Sequence, residues 1–504
     1  MRTRSWAGVL VSLSVSCAVA CGSAGGSAAS PGASPGLDSG GPGPSQVPTD
    51  DSGVTVDLRD AGAPEADGST APTGLAVAVA CTSTTDDVYV VPSSMPAFSA
   101  AARGDIVRCG HDSDLSLADV QKQITATAIQ VTPTSGAHLY RVAYRTTRGN
   151  GKPGVSTARV YLPDTPRALP LPVIVVAHPT EGLAPSCAPS KVAGSLADQA
   201  LPWAAIGYAV IAPDYAGLGN DDVVQGYVDN HDTGYSALDA TRALRKLLPA
   251  ASLTNDVLAV GWSQGGGAVL SAQALEKTYG AAGKLRGVIA FSPEWPTRDN
   301  SFGYRDLLEN PQDLTITKGV SSPTVAAMRE YAYFSAYVGA AHATDAFPAA
   351  SRAGVQSAIT SMCQTPFGGY LQGTFPRVGD QFDPAFHDAL LACMKGTAGC
   401  VEPAKSYHDF MQANVLTGDP SGAPILFVQG LADTIMPAAS EAACNLDKLH
   451  KDGVTPQVCA DLAAVHTNVV PRNMAFALSW GQAILGGSAL PACPTNLGLP
   501  SCTP

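Results

Sequence analysis

Asp256-Val257-Leu258-Ala259-Val260-Gly261-Trp262-Ser263-Gln264-Gly265-Gly266-Gly267-Ala268-Val269-Leu270 is the stretch on which the reading of this chain turns. Val257 to Gly261 is a short apolar run with the character of a buried strand, and Gly265 to Thr278 predicts a helix. A serine between them, framed as Gly-Trp-Ser-Gln-Gly, occupies the strand–turn–helix junction that turns G-x-S-x-G into a nucleophile elbow. Glycines at both flanks are a steric need, since the serine takes a strained backbone and the neighbouring strand and helix leave no room for a Cβ. The short pattern alone is weak: Gly32-Ala33-Ser34-Pro35-Gly36 matches it too, in a tract with no strand before it and no helix after it. Context leaves Ser263.

Apolar runs alternating with helical stretches surround this motif. Strands are expected at 141–144, 156–162, 171–177, 208–212, 257–261, 287–291 and 425–429. Helices are expected at 190–199, 234–248, 265–278, 441–451 and 474–485. Continuous apolar strands separated by helices predict an α/β fold with a doubly wound, mostly parallel sheet covered on both faces. The alternation is interrupted between about 293 and 413, a stretch rich in aromatics such as Phe302, Tyr304, Tyr331, Tyr333, Phe334 and Tyr337.

The 504 residues carry a net charge of −12 without basic runs, which argues against nucleic-acid binding. Residues 1–20 hold Arg2 and Arg4, then an apolar run from Trp6 to Val19, and predict an export signal too short to span a membrane. Ala18-Val19-Ala20-Cys21 resembles a bacterial lipobox, which makes Cys21 the lipidation candidate and a point of membrane attachment; plain secretion is the alternative. From 22 to about 80 the composition is Gly, Ser, Pro, Ala and Asp, and predicts a flexible tether. Residues 82–504 remain for one large catalytic domain.

Setting aside Cys17 and Cys21, ten cysteines are left, an even number that reads as disulfides in an exported chain. Cys393–Cys400, Cys444–Cys459 and Cys493–Cys502 are the most economical pairings. No C-x-x-C pair occurs and no histidine stands at ligand spacing from these cysteines, so a metal site is not expected there. Nucleophilic chemistry at Ser263 implies neither a metal nor an organic cofactor.

A serine hydroxyl needs a base, and the base needs an orienting carboxylate. In this architecture they follow the serine in the order Asp/Glu, then His. Asp433 lies just past the strand Ile425–Gln429, whereas Asp419 precedes that strand and Asp447 falls within the next helix. Of nine histidines, His466 follows Asp433 on a loop before the last helix; His450 sits in a charge-rich helix, and the others come too early or in the interruption. The oxyanion needs two N–H donors. Gln264, next to the nucleophile, supplies one, and Thr180, in the loop His178-Pro179-Thr180-Glu181-Gly182, is the candidate for the other.

Several motifs together resemble the secretory lipases of the α/β-hydrolase class, from about Asp86 to the C-terminus. They are Tyr89, Pro92, Gly104 and Ile106 ahead of Tyr144-Arg145-Thr146; the 178–182 loop leading into Cys187-Ala188-Pro189-Ser190; and Pro213-Asp214-Tyr215-x-Gly217-x-Gly219. The Ser263 elbow, Gly430-x-x-Asp433-x-x-x-Pro437 and His466 complete the set. Many bacterial relatives carry His-Gly where this chain has His178-Pro179. The resemblance implies a largely helical cap at about 293–413, with Phe334 and Tyr337 on an acyl tunnel and Cys187 tied to the cap through Cys363. It also implies an exported lipase or carboxylesterase acting on ester or lipid substrates with no protein partner. Acyl transfer, peptide hydrolysis and a non-catalytic binding module are other functions the same fold can host.

Overall fold

The structure, a computed structural model, describes residues 75–220, 223–298, 301, 304–309, 321–495 and 497–503. The export signal, Cys21, the tether with its Ser34 motif, and Phe302 lie outside the described residues.

Chain order in the core begins with β1 (Ile106–Leu115), α1 (Leu117–Ala126), β2 (Ala137–Thr147), β3 (Pro153–Pro163) and β4 (Leu171–Ala177). It continues with α2 (Leu201–Ala205), β5 (Ala209–Ala216), α3 (Asn230–Leu247), β6 (Leu253–Trp262), α4 (Gln264–Tyr279) and β7 (Lys284–Phe291). Six α-helices follow among the described residues: α5 (Tyr304–Glu309), α6 (Ser321–Tyr333), α7 (Arg352–Ser361), α8 (Gln364–Thr374), α9 (Pro384–Lys395) and α10 (Ala404–Ala413). The core resumes with β8 (Ile425–Gly430), α11 (Ala443–Lys451), β9 (Gln457–Asp461) and α12 (Val469–Gly486). The strands form one nine-stranded sheet in the order β1-β2-β3-β5-β4-β6-β7-β8-β9. β1, β2, β3 and β5 pair antiparallel in succession, and every pairing from β5 through β4 to β9 is parallel.

Strand alternation divides the core cleanly. Val173, Val175, Val257, Ala259, Ile425 and Phe427 face α3, α4 and α11, while Ile174, Val176, Leu258, Val260, Leu426 and Val428 face α1, α2 and α12. Both faces are apolar because both are covered, which is why the strands read as unbroken hydrophobic runs.

All seven expected strands are present. β1 and β9 were not anticipated: both are sheet edges, and β1 is mostly half-buried or exposed with polar residues from His111 to Asp114, while β9 spans only five residues. The helix expected at 190–199 is absent. A 3-10 turn (Pro189–Lys191) and further turns lead instead into the short α2. Arg159 takes the carbonyl oxygens of Ser190 and Val192, and Gly194 has φ +71°, so the segment's backbone is committed elsewhere.

Five disulfides link Cys81–Cys109, Cys187–Cys363, Cys393–Cys400, Cys444–Cys502 and Cys459–Cys493. Two of the economical pairings are therefore replaced: Cys444 does not join Cys459, nor Cys493 Cys502. The segment after α12 runs back past β9 and then α11, so it meets their cysteines in reverse order, and spatial return outweighs sequence proximity. No helix among the described residues is long and apolar enough to cross a membrane.

Candidate active site

Ser263 sits between β6 and α4 with φ +56° and ψ −119°, a conformation costly for any residue with a Cβ. It is held there from three sides. Ser263 N–H donates to Phe291 O, while Ser263 O accepts from Gly267 N–H and Glu294 N–H at 3.0 and 2.8 Å. The glycines are as constrained as their pattern implies: a Cβ on Gly261 would lie 2.1 Å from Gly265 O, and one on Gly265 would lie 1.9 Å from Ala177 O. That second approach brings the end of β4, and so the 178–182 loop, against the elbow.

His466 Nε2 lies 2.9 Å from Ser263 Oγ, and His466 Nδ1 lies 2.8 Å from Asp433 Oδ2. The other Asp433 oxygen accepts from the N–H groups of Ile435 and Met436 at 2.9 and 2.8 Å. An acceptor-only carboxylate fixes the imidazole with its proton on Nδ1 and Nε2 free to accept the serine proton. Trp262 packs against the His466 ring, with centroids 5.5 Å apart. All three residues are buried, Ser263 being 6% and His466 7% exposed. The three candidates, 170 residues apart from first to second and drawn from three strand ends, thus meet in one hydrogen-bonded line.

Gln264 begins α4, where first-turn N–H groups have no intrahelical acceptor. Thr180 is half-buried on the loop after β4, and its hydroxyl contacts Tyr227 Oη at 2.9 Å and Glu294 Oε2 at 3.1 Å. Tyr227 Oη in turn lies 3.1 Å from Glu294 Oε1. Burial holds the Glu294 carboxyl above the usual carboxylate range, against the lowering effect of Tyr227, Thr180, His466 and Arg329. Tyr227 and Glu294 were not anticipated. The available signal was a lone carboxylate, in Ser292-Pro293-Glu294-Trp295, at the carboxyl end of an apolar strand.

Asp214 and Tyr215 are tied into a hydrogen-bond network behind the site. Asp214 accepts from Thr157 Oγ1, Ser190 Oγ and Ser190 N–H, and Tyr215, at φ +67°, donates its hydroxyl to His178 O. These bonds brace the 178–182 loop from behind.

The described residues of 293–413 are largely helical; they hold one apolar core of their own and share a second with Leu183, Tyr227 and Val228 of the core loops. Cys187–Cys363, the bridge Gly182↔Cys363 and the bond from Gln364 N–H to Glu181 O (2.8 Å) fasten this stretch to the 178–182 loop and the segment that follows. Phe334 is fully buried inside it against Phe386, Tyr333 and Tyr407, so this side chain packs the cap and does not face a tunnel. Tyr337, 37% exposed, donates to Asp229 Oδ2 (2.6 Å) at the N-terminus of α3, and so clamps cap to core. A cavity of about 560 Å³ between cap and core is bordered by Leu183, Val224 and Tyr331 on its apolar side and by Arg148, Asn150 and Lys152 on its polar side. None of the triad residues lines it. Among the described residues, only His111, Asp114 and His138 stand at metal-ligand spacing; they lie on β1 and β2, hydrogen-bonded to one another and outside the triad's contacts.

A family model for secretory lipases matches residues 200–293, from α2 through the Ser263 elbow to the end of β7. The match is to the secretory lipase family. It supports a carboxylic ester hydrolase, and solved structures share the fold. The rice cell wall degrading esterase LipA of Xanthomonas oryzae aligns with TM-score 0.57 and 19% identity, over 76% of this chain and 97% of its own. Candida antarctica lipase A in its closed state aligns with TM-score 0.59 and 17% identity, over 84% of this chain and 91% of its own. The fold is that of the α/β-hydrolases. No curated protein matches the chain.

Proposed function

We propose that this secretory-lipase relative is an exported serine esterase or lipase that hydrolyses carboxylic esters of the acylglycerol type. The line of hydrogen bonds from Ser263 to His466 to Asp433 carries this reading. Ser263 Oγ attacks the ester carbonyl as its proton passes to His466 Nε2, and the C=O oxygen becomes an oxyanion. The N–H groups of Gln264 and Thr180 bind that oxyanion, each donor contributing about 3–4 kcal/mol to the transition state. His466 gives its proton to the leaving alcohol. Water then attacks the acyl-enzyme with His466 as base, releasing the acid and restoring Ser263. Asp433 holds the tautomer throughout. No proton in this cycle needs a metal or an organic cofactor.

Five disulfides and the secretory family match support export. Attachment to a membrane through lipidated Cys21 is part of the proposal; mass spectrometry of the mature N-terminus tests it, and an unmodified N-terminus downstream of Cys21 would refute it. For the activity, the mature protein is assayed on p-nitrophenyl esters of graded chain length and on a triglyceride emulsion. A fluorophosphonate probe that should label Ser263 is run alongside. Turnover without labelling at Ser263 would overturn the assignment of the nucleophile.

A further inference from the structure

Thr180, Tyr227 and Glu294 come from three separate elements: the loop after β4, the loop before α3 and the loop after β7. All three residue pairs are in contact: Thr180 Oγ1 lies 2.9 Å from Tyr227 Oη and 3.1 Å from Glu294 Oε2, and Tyr227 Oη lies 3.1 Å from Glu294 Oε1 and 3.3 Å from Oε2. Each of the three residue pairs needs one proton, the two Tyr227–Glu294 contacts sharing theirs. With Glu294 ionised only two are available, one on each hydroxyl, so one close oxygen pair in a buried site must face lone pair to lone pair. With Glu294 protonated the count closes. Its O–H donates to Tyr227 Oη, Tyr227 donates to Thr180 Oγ1, and Thr180 donates back to Glu294 Oε2.

We propose that Glu294 works as a neutral acid, a positioning residue that locks the oxyanion loop through Thr180 and shuts the site down when it ionises. The inference rests on the hydrolase reading above and adds a pH gate to that site. Glu294 is joined to the reacting centre at both ends: its N–H bonds Ser263 O, and its side chain grips the loop that offers the second oxyanion donor. The charged and titratable groups facing it are Tyr227, Tyr215 near the end of β5, His466 from the loop after β9, and Arg329 from α6. Arg329 and the His466 imidazolium favour ionisation; full burial opposes it and is the largest influence.

Loss of the proton has two consequences of opposite sign. An anion would favour the imidazolium of His466, but no hydrogen bond connects the two groups. It would also stand in direct contact with Thr180, where the transition-state oxyanion develops, and like charges there are repelled in a medium that screens poorly. Contact decides the outcome: ionised Glu294 opposes catalysis, both by charge and by opening the ring that aims Thr180.

The test compares wild type with Glu294→Gln and Glu294→Ala, recording kcat and KM against pH together with the infrared band of a protonated carboxyl. Glutamine keeps a donor and an acceptor but has no charge to gain. Glu294→Gln should retain kcat at neutral pH within about threefold and lose the alkaline fall of activity that wild type shows. Glu294→Ala, which opens the ring, should lower kcat by more than about tenfold, as befits a misaimed oxyanion donor, with little change in KM. Wild type should show a protonated-carboxyl band at neutral pH that is missing in Glu294→Gln and bleaches with the same midpoint as the alkaline limb. An unchanged alkaline limb in Glu294→Gln, or no such band at neutral pH, overturns the proposal. A Glu294→Gln protein that folds by circular dichroism yet loses activity at every pH also overturns it, since an ionised carboxylate would then be what catalysis needs. A protein inert to every ester and to the fluorophosphonate would sink the hydrolase reading, while the infrared band would still report where the proton resides.

Discussion

The sheet and the cap solve the problem of placing side chains in opposite ways. In the sheet, position is dictated by backbone: β6 ends at Ser263, β8 ends three residues before Asp433, and parallel register carries both to the same edge. In the cap, aromatic side chains arranged on helices find their places by packing, and most turn inward. Tyr304, Tyr333, Phe334, Phe386 and Tyr407 form one internal cluster, and only the rim residues meet the core. The positions of Ser263 and Asp433 thus follow from topology, whereas those of the cap aromatics follow from a side-chain jigsaw.

The sharpest way to break this comparison is to remove a group that topology places. Ser263→Ala should lower kcat/KM by on the order of 10^5–10^6-fold without altering the far-ultraviolet spectrum, and Ser34→Ala should change nothing. Asp433→Asn, which disturbs the imidazole tautomer but keeps the shape, should cost about 10^4-fold in kcat. Residual activity within tenfold of wild type in either variant would mean that the hydrogen-bonded line is not the reacting centre.

The seam between the two regions gives the next effect. Replacing Cys187 and Cys363 together by serine should destabilise the protein by about 2–5 kcal/mol, read from denaturant midpoints, because this bond is the covalent tie across the seam and spans 176 residues. If cap and core melt at the same midpoint as wild type, the bond is not what joins them.

Inside the cap, Phe334→Ala should cost about 3–5 kcal/mol of stability through the cavity it leaves. It should lower long- and short-chain ester turnover in proportion, since the ring is packed away from solvent. Tyr331, on the cavity wall, is the contrasting position: its truncation should change the ratio of long- to short-chain kcat/KM, at about 0.8 kcal/mol for each CH₂ whose contact is lost. A flat ratio for Tyr331→Ala would place the acyl chain elsewhere.

A further expected effect is electrostatic. Burial pushes the Glu330 carboxyl up to about 8, with the Tyr304 hydroxyl and Arg329 acting the other way. A carboxyl whose folded value exceeds its unfolded one stabilises the fold most below about pH 4.5, and that contribution is lost as pH rises through about 8. Wild type should therefore lose Tm relative to Glu330→Gln across that interval. Parallel Tm curves for the two proteins would show that Glu330 does not titrate there.

The elbow, the order of the triad and the run of parallel strands were legible in the residues because each leaves a local mark. A G-x-S-x-G between strand and helix, an aspartate past an apolar strand, and a histidine before the last helix need no knowledge of distant contacts. The edge strands β1 and β9 left fainter marks, being half solvated or very short. The cysteine pairings at 444, 459, 493 and 502 depended on how the C-terminal segment returns over β9 and α11, and no spacing encodes that return. Which cap aromatics look inward was likewise beyond the sequence, since Phe334 and Tyr337 differ in environment and not in pattern. The ring of Thr180, Tyr227 and Glu294 joins residues up to 114 positions apart, and it exists only because three loops converge at the carboxyl edge of the sheet. Periodicity and motif record what a residue does to its neighbours in the chain; the proton count of a buried site is settled by its neighbours in space.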